Sequence, residues 1–259
     1  MALRTTAQSR EAGRAPLPLS SRRDTWWLRP LLTVIVLGSF VIYTTWRGLE
    51  NQFFEVGPYL SPFYSPLLPI RLSIAGWKVS PAVYIVAFPL LFRLTCYYYR
   101  LAYYRAFFWD PPACAIQELA LRKRYTGERE FPFILQNLHR FTFYTAVIFI
   151  FILGYDAIRA FFFDGRFGVG LGSLIFAVNV VLLALYTFSC HSFRHLIGGG
   201  LNCYSCSNAN TTRYDIWRRV SLLNERHGLF AWCSLISVAL TDLYVRLVAS
   251  GTIQYVRFF

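Results

Sequence analysis

Long apolar runs alternate with short, arginine-rich connections along most of the chain. A bilayer core about 30 Å thick takes roughly 20 apolar residues in a helix. Five stretches reach that length: Leu28–Trp46, Pro81–Tyr104, Phe141–Phe163, Val169–Phe193 and Leu229–Ser250. The pattern therefore predicts an all-α polytopic membrane bundle of five transmembrane helices over residues 26–259. Residues 1–25 lack the apolar core of a secretory signal and read as a flexible tail rich in Arg and Ser. Pro89 lies inside the second run and predicts a kink there. The proline- and aromatic-rich stretch Glu50–Trp77 reads as re-entrant or interfacial. No internal repeat of the kind common in transporters is evident.

Composition and charge sharpen this picture. Hydrophobic residues make up 56% of the chain and charged residues 15%, against roughly 45–50% apolar in a soluble domain. A net charge of +13 would suit a nucleic-acid binder, but here the basic residues lie between apolar runs, as membrane topology places them. Arginines and lysines concentrate in the tail, in the loop after the second run (Arg105, Arg122, Lys123, Arg124, Arg129, Arg140) and in the loop after the fourth (Arg194, Arg213, Arg218, Arg219, Arg226). The other side carries Arg47, Arg71, Lys78, Arg159, Arg166, Arg246 and Arg257. This asymmetry puts the N-terminus in the cytoplasm, and all four histidines with it. His139 opens the third helix, His191 and His195 close the fourth, and His227 opens the fifth.

The densest candidate chemistry lies in YTFSCHSFRHLIGGGLNCYSCSNAN, Tyr186–Asn210. His191 and His195, four residues apart, share one helix face at about 40°. Gly198, Gly199 and Gly200 end the helix, and Cys203 and Cys206 follow at C-x-x-C spacing. Two imidazoles and two thiolates suit a structural zinc. They equally suit a Rieske-type [2Fe–2S] cluster, in which two thiolates hold one iron and two imidazoles the other. Cys190 sits about 140° from His195 on the helix and reads as a packing residue or, at best, a reserve ligand in place of one of the two thiolates.

Other polar residues carry weaker signals. His139 and His227 are alternative axial ligands of one b-type haem, although histidines at helix starts commonly cap or hydrogen-bond there. The absence of outer-side histidines argues against two haems. Arg93 and Arg100 are seven apart and so predicted on one face; Asp156 with Arg159 and Asp242 with Arg246 are spaced to pair. Tyr97, Tyr98, Tyr99, Tyr103, Tyr104 and Trp109 form a candidate aromatic belt. By depth and chemistry, Tyr103, Arg105, Trp109, Ser192 and Arg194 are candidate quinone contacts.

The HSFRH…CYSC segment, DPPAC at Asp110–Cys114 and FPFILQNLHRF at Phe131–Phe141 resemble the membrane-anchor subunit of actinobacterial succinate dehydrogenases. In particular they resemble the mycobacterial class that lacks haem and carries a membrane-embedded Rieske-type cluster. The resemblance runs from Trp26 onward. It implies a succinate:quinone oxidoreductase (respiratory complex II) in the bacterial inner membrane, with a flavoprotein and an iron–sulfur subunit on the cytoplasmic side. Electrons from succinate would pass through FAD and further iron–sulfur centres of those partners, then through the cluster to menaquinone or ubiquinone. By motif match the ligands would be His191 and His195 on one iron and Cys203 and Cys206 on the other. The soluble Rieske pattern differs, since each of its loops supplies one Cys and one His. A zinc-stabilised transporter or scaffold is the reading from another class.

Overall fold

The computed structural model describes residues 25–68, 73–74, 77–109, 129, 131 and 133–258. The tail, the DPPAC run and the Arg122–Arg124 cluster lie outside the described residues. The chain divides into two units, residues 1–37 with 101–126 and residues 38–100 with 127–259.

Helices α1 (Leu28–Glu50), α4 (His139–Arg159), α5 (Leu171–Phe188) and α8 (His227–Ala249) are each long and apolar enough to cross a bilayer. A fifth span is reached by α2 (Pro81–Thr95) and α3 (Tyr97–Phe108) together, which bend by 80° at one residue. The predicted continuous helix Pro81–Tyr104 is therefore two. Its break falls at Cys96, which is extended at φ −63° and ψ 127°, whereas Pro89 stays inside α2. Arg93 and Arg100 consequently do not share one helix. The predicted fourth span also ends early, at Phe188. Cys190 is extended at φ −66° and ψ 146°, and a separate short helix, α6 (His191–Gly198), follows. Helix α7 (Asn208–Glu225) was not predicted, because its sequence is too polar to read as a span.

Within the larger unit α5 packs on α8 and α4, and α2 packs on α4. Lipid tails are as apolar as leucine, so close fit and internal polar contacts hold such helices together. Apolar side chains such as Ile42 and Phe151 are 71% and 72% exposed, as lipid-facing residues should be. In the loop between α1 and α2, residues 59–65 are buried. A hairpin of β1 (Glu55–Val56) and β2 (Tyr59–Leu60) drives Tyr59, Phe63 and Tyr64 into the core. Gly172 on α5 admits the Tyr59 ring, since a Cβ there would meet it at 2.4 Å.

Below that hairpin Asp242 is completely buried. It accepts from Tyr43 Oη at 2.6 Å, from Ser61 Oγ, and from Arg246 Nε at 2.8 Å. The Arg246 guanidinium also reaches Glu50 at 3.1 Å and the Gln52 carbonyl at 2.7 Å. The predicted Asp242–Arg246 pair thus belongs to a larger network joining α1, the hairpin loop and α8. Asp156 instead accepts from Ser65 Oγ, across the fold.

Candidate functional site

The predicted histidines do share one face of α6, with their Nε2 atoms 2.9 Å apart. Both are exposed, and they line a surface cleft of about 430 Å³ with Arg194, Tyr204, Tyr214 and Trp217. Partial burial, followed by the charges of His195 and Arg194, holds the His191 imidazole below its usual pKa. Gly198 lies against Trp217, leaving no room for a Cβ, and the Arg194 guanidinium stacks 4.6 Å from the same ring system. Cys203 and Cys206, however, are bonded to each other as a disulfide. The four predicted donors therefore form two self-satisfied pairs: imidazole with imidazole, sulfur with sulfur. Among the described residues, no three His, Cys, Asp or Glu side chains are arranged to hold a single metal ion.

A second set of two cysteines and two histidines lies inside the bundle. Cys96 and Cys190 are 1% and 2% exposed, and His139 and His227 are 9% and 8% exposed. They come from the α2–α3 break, the α5–α6 break and the first residues of α4 and α8. His139 Nε2 lies 2.9 Å from Cys190 Sγ, and His227 Nε2 lies 3.3 Å from Cys96 Sγ. The other ring nitrogens meet the residues preceding the cysteines: His139 Nδ1 is 3.1 Å from Thr95 Oγ1, and His227 Nδ1 is 2.8 Å from Ser189 Oγ. Each hydroxyl–cysteine step thus serves both histidines, one through its oxygen and the other through its sulfur.

Each of the two hydroxyls also has a backbone carbonyl within reach of its hydrogen. A hydroxyl has one hydrogen to give. Thr95 donates its own to the Leu91 carbonyl at 2.7 Å, and Ser189 donates its own to the Tyr186 carbonyl at 3.1 Å. Both oxygens are then acceptors toward Nδ1–H. With Nδ1 protonated, each Nε2 turns a lone pair toward a sulfur, the tautomer a metal-binding imidazole needs.

Local sequence builds the two halves alike. In FRLTC (Phe92–Cys96) and YTFSC (Tyr186–Cys190) an aromatic residue, a hydroxyl and a cysteine recur at the same spacing. Phe92 stacks on His139 at 4.7 Å and 8°, and Tyr186 stacks on His227 at 5.1 Å and 19°. Each cysteine heads the short helix that follows. N–H groups at a helix start stabilise thiolate. Gly228, next to His227, lets the Tyr98 ring approach, since a Cβ there would meet it at 2.6 Å.

The candidate quinone contacts fall into two groups. Arg105 and Trp109 line a groove of about 440 Å³ with Trp26, Trp27, Pro30, Leu31 and Val34, while Tyr103 packs edge-on against Tyr104. Arg194 and Ser192 belong to α6, where Arg194 lines the His191 cleft. A further cavity of about 100 Å³ inside the larger unit is apolar apart from Arg93, Tyr186 and two threonines.

Fold and site together define a polytopic membrane subunit with a buried donor site at its helix ends. The chain belongs to the actinobacterial succinate dehydrogenase subunit SdhC family, whose model matches residues 28–251. It is similar to a chain of the "Mycobacterium smegmatis Sdh1 complex in the apo form", at 45% identity and a TM-score of 0.83, over 95% of this chain and 96% of that one. No curated protein matches it.

Proposed function

We propose that the chain anchors a succinate:quinone oxidoreductase in the bacterial cell membrane and relays electrons from the complex's iron–sulfur subunit to quinone. In this reading it holds a Rieske-type [2Fe–2S] cluster on Cys96, Cys190, His139 and His227. The supporting observation is the crossed arrangement of these side chains, with each Nε2 within 3.3 Å of a thiol sulfur. The donor set fits the group: two thiols and two neutral imidazoles are its ligand complement, sequestered from water and backed by hydrogen-bonded hydroxyls. When bound, such a cluster takes and gives one electron at a higher potential than an all-thiolate centre. Thr95 and Ser189 would orient the imidazoles, and Phe92 and Tyr186 would exclude water from them.

His191, His195, Cys203 and Cys206 form the competing ligand set, and a single b-type haem on His139 and His227 the competing cofactor. A haem iron would take the same two Nε2 atoms that face the thiols. By the Lys/Arg asymmetry of the sequence the donor end of the bundle would face the cytoplasm, where the flavoprotein and iron–sulfur partners would dock. Quinone would bind at Arg105 and Trp109, where a guanidinium can meet a carbonyl between indole rings.

Low-temperature EPR of the dithionite-reduced complex tests the assignment. A Rieske-type signal is expected that disappears in Cys96→Ser and Cys190→Ser and persists in His191→Ala. A signal lost in His191→Ala and kept in Cys96→Ser would transfer the cluster to the surface set. An optical α-band with no Rieske-type signal would favour haem.

A further inference from the structure

The two halves of the buried site differ in charge at the residue after the aromatic one. Arg93 follows the aromatic residue of the first half; Thr187 follows that of the second. The Arg93 guanidinium lies 4.6 Å from the Tyr186 ring, which also stacks on His227. It donates to Tyr99 Oη at 2.9 Å, to Ser234 Oγ at 3.0 Å and to the Ala231 carbonyl at 3.4 Å. Every one of these acceptors is neutral. Among the described residues, carboxylates pair with Arg47 and Arg246 but not with Arg93. An arginine inside a membrane helix without a counter-charge is costly and calls for an anion. His227 and Cys96 both lie within its electrostatic reach.

Resting on the cluster reading above, we propose that Arg93 is a positioning residue that raises the reduction potential of the buried centre by balancing the charge of its reduced form. Two thiolates cancel the double positive charge of an oxidised [2Fe–2S] core, and neutral imidazoles add none. The added electron leaves one net negative charge, and no proton need accompany it. A cation held by neutral dipoles in a low-dielectric interior stabilises that anion more than the uncharged oxidised form. Tyr99 and Ser234, from α3 and α8, hold the guanidinium in place.

The test is an EPR-monitored redox titration of the assembled complex. Arg93→Gln is expected to shift the one-electron equilibrium about tenfold toward the oxidised form, a fall of about 59 mV. Arg93→Lys, which keeps the charge, should stay near wild type. Ser234→Asp serves where loss of Arg93 prevents assembly. It retains the arginine, gives it a carboxylate beside the present hydroxyl position, and should lower the potential similarly. An unchanged potential in Ser234→Asp, with a normal cluster signal, overturns the role of Arg93 alone. A wild-type complex with no such signal overturns the cluster reading and this inference together.

Discussion

Two regions of this molecule contain the same inventory of two cysteines and two histidines, and they use it in opposite ways. In the α6 segment the four residues fall close together in sequence, and each pair satisfies itself at the surface. In the bundle the four come from separate helix ends, with Cys96 and His227 131 positions apart, and every contact crosses between elements. Sequence proximity brings side chains onto one face. It does not keep them waiting for a ligand. Buried donors on rigid elements, each pinned from behind by a hydroxyl, are what preorganises a site.

The sharpest way to break this comparison is to remove single donors from each region in turn. Cys96→Ser and Cys190→Ser are expected to abolish the Rieske-type signal and succinate-driven quinone reduction. His195→Ala, at the surface, should change turnover by no more than about twofold, the scale of a roughly 0.5 kcal/mol surface effect. Parallel EPR and steady-state quinone reduction on purified complexes check both. Equal losses in the two regions would erase the distinction.

The opposite end of α8 offers a contrast of a different kind, a polar cluster built for stability. Removing Asp242 would leave the buried Arg246 cation with Glu50 as its remaining counter-charge and Tyr43 and Ser61 without their shared acceptor. Asp242→Ala should therefore cost about 3–5 kcal/mol, read as a lowered midpoint in thermal unfolding of the detergent-solubilised complex. Whatever fraction assembles should keep an unaltered cluster signal. A changed signal would show that the two ends are coupled.

The bundle was largely legible in the sequence, because a span is a matter of length and apolarity, and both are local. The breaks at Cys96 and Cys190 were not. Thr-Cys and Ser-Cys carry none of the proline or glycine that marks a helix end, and Pro89 drew attention seven residues too early. These breaks coincide with contacts to histidines far away in the chain. One signal was present all the same: the recurrence of aromatic-x-x-hydroxyl-Cys before each break. Helix periodicity set Cys190 aside by assuming one continuous helix through His195, and the break removes that assumption. Helix α7 escaped notice because it is polar. Its start is nonetheless marked by Ser207, whose hydroxyl accepts from Asn210 N at 3.2 Å.

A finer contrast lies between the donors and the hydroxyls behind them. Thr95→Val and Ser189→Ala leave all four donors in place but free the Nδ1 atoms, so the imidazoles can adopt the wrong tautomer. Losses of this type weaken metal retention about 10–100-fold. Iron content after a timed chelator challenge should fall in that range, with the EPR line shape retained in the surviving centres. Retention equal to wild type in both variants would mean that the hydroxyls merely fill space.

The smallest effect is expected at the Cys203–Cys206 disulfide. The chain it encloses is short, so cross-linking removes little unfolded-state entropy, at most about 2 kcal/mol on the loop-closure scale. The folded loop is also held without it: Asn210 Nδ2 donates to the Cys203 carbonyl at 2.9 Å, and Thr211 Oγ1 to the Tyr204 carbonyl at 3.2 Å. Cys203→Ser should therefore speed proteolytic nicking near the loop while leaving the cluster signal and the main thermal transition unchanged. Adding reductant to the wild-type protein should reproduce the variant. A loss of the cluster signal on mild reduction of this bond alone would return the thiols of the surface segment to the ligand set, and so reverse the assignment that separates the two regions.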